Sequence, residues 1–253
     1  MDSSSRCVMM SQVKTLRYLI AFAAVYLVAV CTRIGQSAEN ALIVGYADQA
    51  RVFKILYSVG PPPLKGEWAT LLIGLALIAT ITVVRRRWVD GCLALSVAVA
   101  TMGATEVLNR YVLPRPDLSD APRSLTSASF PSGHVAIVAG LTLGAVLISS
   151  PRTRGYVLAA GTLWVAVTAA AVQALYWHRP SDVLGATLLA CTFYSLATRR
   201  PATTAISRTF ALAALAAAAV LALLASSRDD TYTRPLAFAA TATLCAALTW
   251  TAT

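Results

Sequence analysis

The chain has 253 residues, 57% of them hydrophobic and only 13% charged, with a formal net charge of +10 and a mean hydropathy of +0.66. A soluble globular domain is less apolar and about twice as charged, so the composition points to an integral membrane protein. Nucleic acid is not the expected partner, because the cations lie scattered in short segments between apolar runs and form no stripe on a soluble face; they flank membrane helices.

The apolar runs are roughly 17 to 22 residues long, enough to cross a bilayer as helices, and backbone in hydrocarbon must bond within its own helix. The expected fold is therefore an all-α integral membrane protein, a single transmembrane domain over residues 1–253. In chain order the spans are expected near Leu16–Thr32, Trp68–Val84, Gly91–Leu108, His134–Ser149, Gly155–Tyr176, Ser181–Thr198, Ile206–Ala225 and Pro235–Thr251. The first resembles a signal peptide, with Lys14 and Arg17 before it, but seven further spans favour an uncleaved anchor. Residues 33–67 form a long loop. Within it Ala41, Leu42, Ile43, Tyr46, Ala50, Phe53, Ile55 and Leu56 give a loose helical stripe that ends at Gly60-Pro61-Pro62-Pro63. A short helix lying on the membrane surface is preferred over a lid across a lipid-facing site.

Five cysteines, Cys7, Cys31, Cys92, Cys191 and Cys245, are odd in number and widely spaced. They read as small buried hydrophobes and not as a disulfide framework or zinc site. For orientation, an inside N-terminus places Arg6, Lys14, Arg17, Arg85-Arg86-Arg87, Arg152, Arg154, Arg199, Arg200 and Arg208 in the cytoplasm. The outer segments carry nearly as many cations, but short loops weigh more than long ones.

That orientation brings three polar segments to one outer face. The chain holds two histidines, and both lie in these segments. In Pro131-Ser132-Gly133-His134 the free N–H groups of a helix start suit an anion. Ser132 can cap the helix or donate to a phosphate oxygen, Gly133 admits a ligand close to the backbone, and His134 can give a proton to a leaving oxygen. His178 and Asp182 are spaced i, i+4 and share a helical face. A carboxylate on one imidazole nitrogen fixes the tautomer and frees the other nitrogen to attack. Pro180 suits the first position of the helix that carries Asp182. Arg115, between Pro114 and Pro116, offers a guanidinium that can grip two phosphate oxygens. Glu106 lies inside the third span, four residues before Arg110, and is expected to pair with it.

These residues, Arg115-Pro116, Pro131-Ser132-Gly133-His134 and the His178/Asp182 pair, stand in the order of a known signature. The chain resembles the type 2 phosphatidic acid phosphatase superfamily of membrane lipid phosphatases over roughly residues 68–198. The resemblance implies a six-helix phosphatase-like core, to which residues 206–251 add two spans. It further implies a membrane lipid phosphate phosphatase in which His178 attacks phosphorus and forms a phosphohistidine, Asp182 orients His178, and His134 protonates the leaving oxygen. Arg115, Ser132 and Gly133 would hold the phosphoryl oxygens. The family lysine falls at Leu108 and the family Ser-Arg at Ala171-Val172, so two of the usual cations are missing at register. Arg110, Arg123 or Arg179 is expected to substitute, with Gln173 as a neutral donor. No metal or other cofactor is expected. The expected partners are the bilayer and a lipid phosphate, either a polyprenyl phosphate or diphosphate or a phospholipid phosphate. The alanine- and arginine-rich bias suits a bacterium with a GC-rich genome, and with it a cell-envelope role. A lipid phosphotransferase and a non-catalytic lipid-binding or transport protein are the alternatives, and the oligomeric state is left open.

Overall fold

A computed structural model describes residues 3–43, 68–121, 126–198, 207–226 and 233–253. Among these residues all regular structure is helical. Helix α1 (Ser3–Val25) runs on through a π-helical turn, Tyr26–Val30, and α2 (Arg33–Ile43) follows at once. Then come α3 (Trp68–Arg85), α4 (Trp88–Val107, extended by a second π-helical turn at Leu108–Val112), α5 (Gly133–Ile148), α6 (Arg154–Ala174), α7 (Pro180–Ala197), α8 (Arg208–Ser226) and α9 (Thr233–Ala252). Helices stand at all eight expected spans. Six of them are long and apolar enough to cross a membrane, and α5 is a shorter apolar helix of 16 residues. The protein is a multi-pass, all-α membrane protein.

Helices α5 and α7 form the middle of the bundle and are buried on nearly every side. Helix α5 packs against α3, α4, α6 and α7; α7 also meets α1, α4 and α9, while α8 packs on α6 and α9. Small residues allow these approaches, as expected where lipid offers no hydrophobic drive and packing must supply the association. A Cβ built on Gly144 would lie 2.7 Å from the Ala94 carbonyl oxygen, and one on Gly140 only 3.2 Å from Ala98 Cα, so α4 and α5 are in backbone contact. Four threonines inside the bundle satisfy their hydroxyls on their own helix: Thr101 on Val97, Thr187 on Val183, Thr192 on Leu188 and Thr249 on Cys245. Such bonds meet the donor's need where no water is available.

Both π-helical turns lie at the same end of the bundle. That end also holds the N-termini of α5 and α7, the C-terminus of α6, and α2. The opposite end is fastened by Arg87, which bonds Asp90 (2.9 Å) and the carbonyls of Ile148 and Ser149, and by Arg154, which donates to Tyr194 Oη (2.9 Å).

The loop expected over residues 33–67 begins as a helix, and its inward face is mostly polar, with Ile43 the one stripe residue buried among those described. Gln36, Glu39, Asn40 and Ile43 are the buried side chains of α2, while Ala41 is exposed; residues 44–67, with the rest of the stripe, lie outside the described residues. Of the cysteines, Cys191 and Cys245 are buried, Cys31 is half-buried, and Cys92 is exposed on α4, so the small-buried-hydrophobe reading fits two of these four.

Candidate active site

The site grows from three local structures. Helix α6 ends in a tight reversal: the Trp177 N–H bonds back to the Val172 carbonyl and the Tyr176 N–H to that of Gln173. This is a Schellman-type ending with Tyr176 in the left-handed region, at φ 61°. A second bond to the Val172 carbonyl, from the His178 N–H at 3.2 Å, fixes His178 against that ending.

Next, α7 starts with Pro180 at its first position. Asp182 Oδ2 accepts the Arg179 N–H at 2.8 Å and faces His178 Nδ1 at 3.3 Å. This carboxylate therefore both caps the helix start and faces the imidazole.

Helix α5 starts at Gly133 with Ser132 as its N-cap, whose Oγ accepts the Val135 N–H at 3.4 Å. The Ser132 N–H donates to the Asp182 carbonyl at 3.0 Å, which joins the two helix starts directly. His134, one residue further, then meets His178. The His134 Nδ1 to His178 Nε2 distance is 3.2 Å, and the ring centroids are 5.3 Å apart. Trp177 flanks His134 at 5.4 Å.

The result is a continuous chain from the Asp182 carboxylate through His178 to His134. A phosphorus atom attacked in line needs the nucleophile at about 3 to 3.5 Å with the leaving oxygen beyond it. Two nitrogens 3.2 Å apart cannot flank it, so an arriving phosphoryl group must break this contact and part the rings.

Arg115 sits on the irregular segment after the second π-helical turn. That segment is tied down by α1 and α2: Tyr26 Oη donates to the Pro114 carbonyl (2.7 Å), Gln36 Nε2 to that of Pro116 (2.6 Å), and Leu118 N–H to Gln36 Oε1 (3.1 Å). Both terminal nitrogens of Arg115 are buried and have no hydrogen-bond partner among the described residues. Arg179 is buried, donating from Nη1 to Ser129 Oγ at 2.9 Å and from Nε to Asn40 Oδ1 at 3.4 Å. Burial, and then the Arg115 charge, draw the Arg179 guanidinium below its ordinary value. Two cations that disfavour each other, one with unused donors, form an arrangement that an anion would relieve.

The other expected residues fall as follows. Arg110 is 63% exposed and pairs through Nε with Glu106 Oε2 at 2.7 Å, and Glu106 Oε1 lies 3.8 Å from where a Cβ on Gly133 would stand. Arg123 lies outside the described residues. The expectation for Gln173 is corrected. It is fully buried and its amide donates to the Ala169 carbonyl (2.8 Å) and the Phe238 carbonyl (3.5 Å), so it ties α6 to α9. The positions where the family cations would fall are packed against apolar neighbours: Leu108 beside the Phe22–Phe130 cluster, and Val172 in the main core.

The residues that sequence reasoning missed are on α2. Glu39, 7% exposed, accepts the Ser181 N–H at 2.8 Å and the Ser181 Oγ–H at 3.0 Å. Asn40 bridges Arg179 and Ser119. A polar trio at 36, 39 and 40, sharing one helical face, was the available signal.

Burial, and then the neighbouring Asp182 carboxylate, push Glu39 from its ordinary 4.5 up to about 7, against the opposing pull of Ser181 and Arg115. The folded value lies above the unfolded one, so between these two values the folded chain holds a proton that the unfolded chain has released. The resulting stability is full below the unfolded value and is lost as the pH rises through about 7. Glu39→Gln cannot ionise. Thermal unfolding in detergent should show the wild type losing on the order of 3 kcal/mol more than the variant between about pH 4 and about pH 8; parallel losses would contradict it.

The fold and the site together define a class: a multi-pass helical membrane protein with a carboxylate–imidazole–imidazole chain and paired guanidiniums at one end of the bundle. Residues 87–205 match the family model described as the PAP2 superfamily. That segment spans α4 to α7, and the match is consistent with the type 2 phosphatidic acid phosphatase superfamily. Neither a curated protein nor a solved structure matches the chain. The match supports phosphatase-type chemistry on lipid phosphates in general.

Proposed function

We propose that the protein is a membrane lipid phosphate phosphatase working through a phosphohistidine. The observation that carries this reading is the Asp182–His178–His134 chain, with His178 Nε2 turned away from Asp182 and toward His134. Asp182 accepts from His178 Nδ1–H, which leaves the Nε2 lone pair free to attack once the rings part. As the P–N bond forms, the bond from phosphorus to the lipid oxygen breaks, and His134 gives that oxygen its proton. Water, deprotonated by His134, then attacks the phosphohistidine; inorganic phosphate leaves and His178 regains its starting form. Arg115 and Arg179, with the Ser132 hydroxyl and the Gly133 N–H at the start of α5, hold the three phosphoryl oxygens where charge is redistributed. Arg179 takes the place of the absent third-motif arginine.

Arg110, exposed and paired with Glu106, contributes attraction at longer range. Arg110→Gln should raise KM a few-fold, about 2- to 5-fold at low salt, with kcat unchanged. An unchanged KM would remove Arg110 from the site.

The substrate is a lipid because the site opens where the bundle ends, beside Trp177. The far end carries Arg85, Arg86, Arg87, Arg152 and Arg154, which belongs on the cytoplasmic side. The site therefore faces outward, toward a polyprenyl phosphate or diphosphate or a phospholipid phosphate of a cell membrane. The direct test gives the purified full chain a panel of these lipids, with and without chelator, and measures inorganic phosphate. Release from at least one lipid, insensitive to chelator, is expected. No release from any of them, or transfer of the phosphoryl group only to an added alcohol, overturns the hydrolase reading.

A further inference from the structure

Helix α2 lies outside the segment that matches the family model, yet it supplies a buried carboxylate to the same end of the bundle. Glu39 engages both donors of Ser181, the residue next to Asp182. The charged groups that act on it come from every element packed there: Asp182 on α7, Arg115 on the segment after α4, and Arg179 at the turn into α7. Its neighbour Asn40 holds Arg179, and Gln36, one turn earlier, holds the Arg115 segment. A carboxylate that only fastened a helix start would need a serine. This one also lies within electrostatic reach of Arg115 and Arg179, the two guanidiniums that the phosphoryl oxygens require.

Resting on the reading just given, we propose that Glu39 is a positioning residue that sets the charge of the anion cradle. It fixes Ser181 at the start of α7 and, when ionised, offsets part of the Arg115–Arg179 charge, so that the site holds a dianion tightly only while Glu39 is neutral. The burial that pushes Glu39 up to about 7 places this change near neutral pH. By linkage, a bound anion must in turn favour the protonated carboxyl.

The test is anion binding and not turnover. Sulfate is the probe, because it stays a dianion across the window in which both Glu39 and a phosphate monoester titrate. Its affinity for the full-length, detergent-solubilised protein is measured by calorimetry from about pH 5.5 to about pH 8.5 for the wild type, Glu39→Gln and Ser181→Ala. Any other group that titrates in this window does so in all three proteins, so the difference between curves isolates Glu39. The wild type should lose about tenfold more affinity across the window than Glu39→Gln. Ser181→Ala removes one hydrogen bond from the carboxylate, so its loss should move to higher pH by roughly half a unit to one unit. A purely structural Glu39 would shift affinity equally at every pH. Parallel curves for wild type and Glu39→Gln therefore overturn the inference while leaving the phosphatase reading intact. If Glu39→Gln does not fold, an unmoved curve for Ser181→Ala overturns it instead. A wild type that binds no sulfate at any pH takes down the anion site itself, and this inference with it.

Discussion

His178→Ala should abolish hydrolysis, lowering kcat by a factor of about 10⁵ or more, with no phosphoenzyme trapped by acid quench. The magnitude follows from the reaction: uncatalysed phosphate monoester hydrolysis is among the slowest known, so removing the nucleophile forfeits the covalent route entirely. Folding should survive, because Asp182 keeps its bond to the Arg179 N–H and α7 remains capped. His134→Ala provides the internal contrast. In the proposed mechanism His134 protonates a leaving oxygen, so its loss should be severe for a lipid alcohol and mild for an ester such as p-nitrophenyl phosphate, whose leaving group needs no proton. His178→Ala must be inactive toward both. If the two variants respond alike to leaving-group acidity, or if His178→Ala retains phosphate release, the roles of the two imidazoles are wrongly drawn.

The placement of these residues was readable because its determinants are local. Pro131-Ser132-Gly133-His134 is a helix start wherever it occurs, and His178 and Asp182 at i, i+4 share a face as soon as Pro180 begins a helix. The spans were readable for the same reason: apolar length alone commits a segment to the bilayer. The α2 contribution was hidden by its own neighbourhood. The apolar residues of 41–56 drew attention to a stripe, while the face that turns inward is Gln36, Glu39 and Asn40, whose partners at Pro116, Ser181 and Arg179 lie roughly 80 to 140 residues away. No local period announces such pairings. Arg110 shows the converse. Its pairing with Glu106 was visible from spacing, but its exposure depends on where the π-helical turn at Leu108–Val112 points it. Gln173 failed in the same way: sequence gives a donor near the site in register, and only the packing of α9 shows that the donor is already used.

Arg115→Ala should cost about 10³-fold in kcat/KM, and Arg115→Lys about 10²-fold, measured on the lipid that the panel identifies. Four cations stand in sequence around the motifs, yet they are not equivalent. Arg110 spends its guanidinium on Glu106 in solvent, Arg179 holds Ser129 and Asn40, and Arg123 lies outside the described residues. Arg115 alone among the described three is held through its backbone, by Tyr26 and Gln36 acting on Pro114 and Pro116, with both terminal nitrogens buried and uncommitted. Its guanidinium is thus positioned before substrate arrives, which is the condition under which an electrostatic contact lowers a barrier and does not merely tighten binding. Lysine preserves the charge but supplies a single point donor in place of a planar fork, so it should recover the binding part of the loss and little of the kcat part. Arg115→Lys with wild-type kcat would mean that charge alone matters at this position, and the two-oxygen grip would have to be withdrawn.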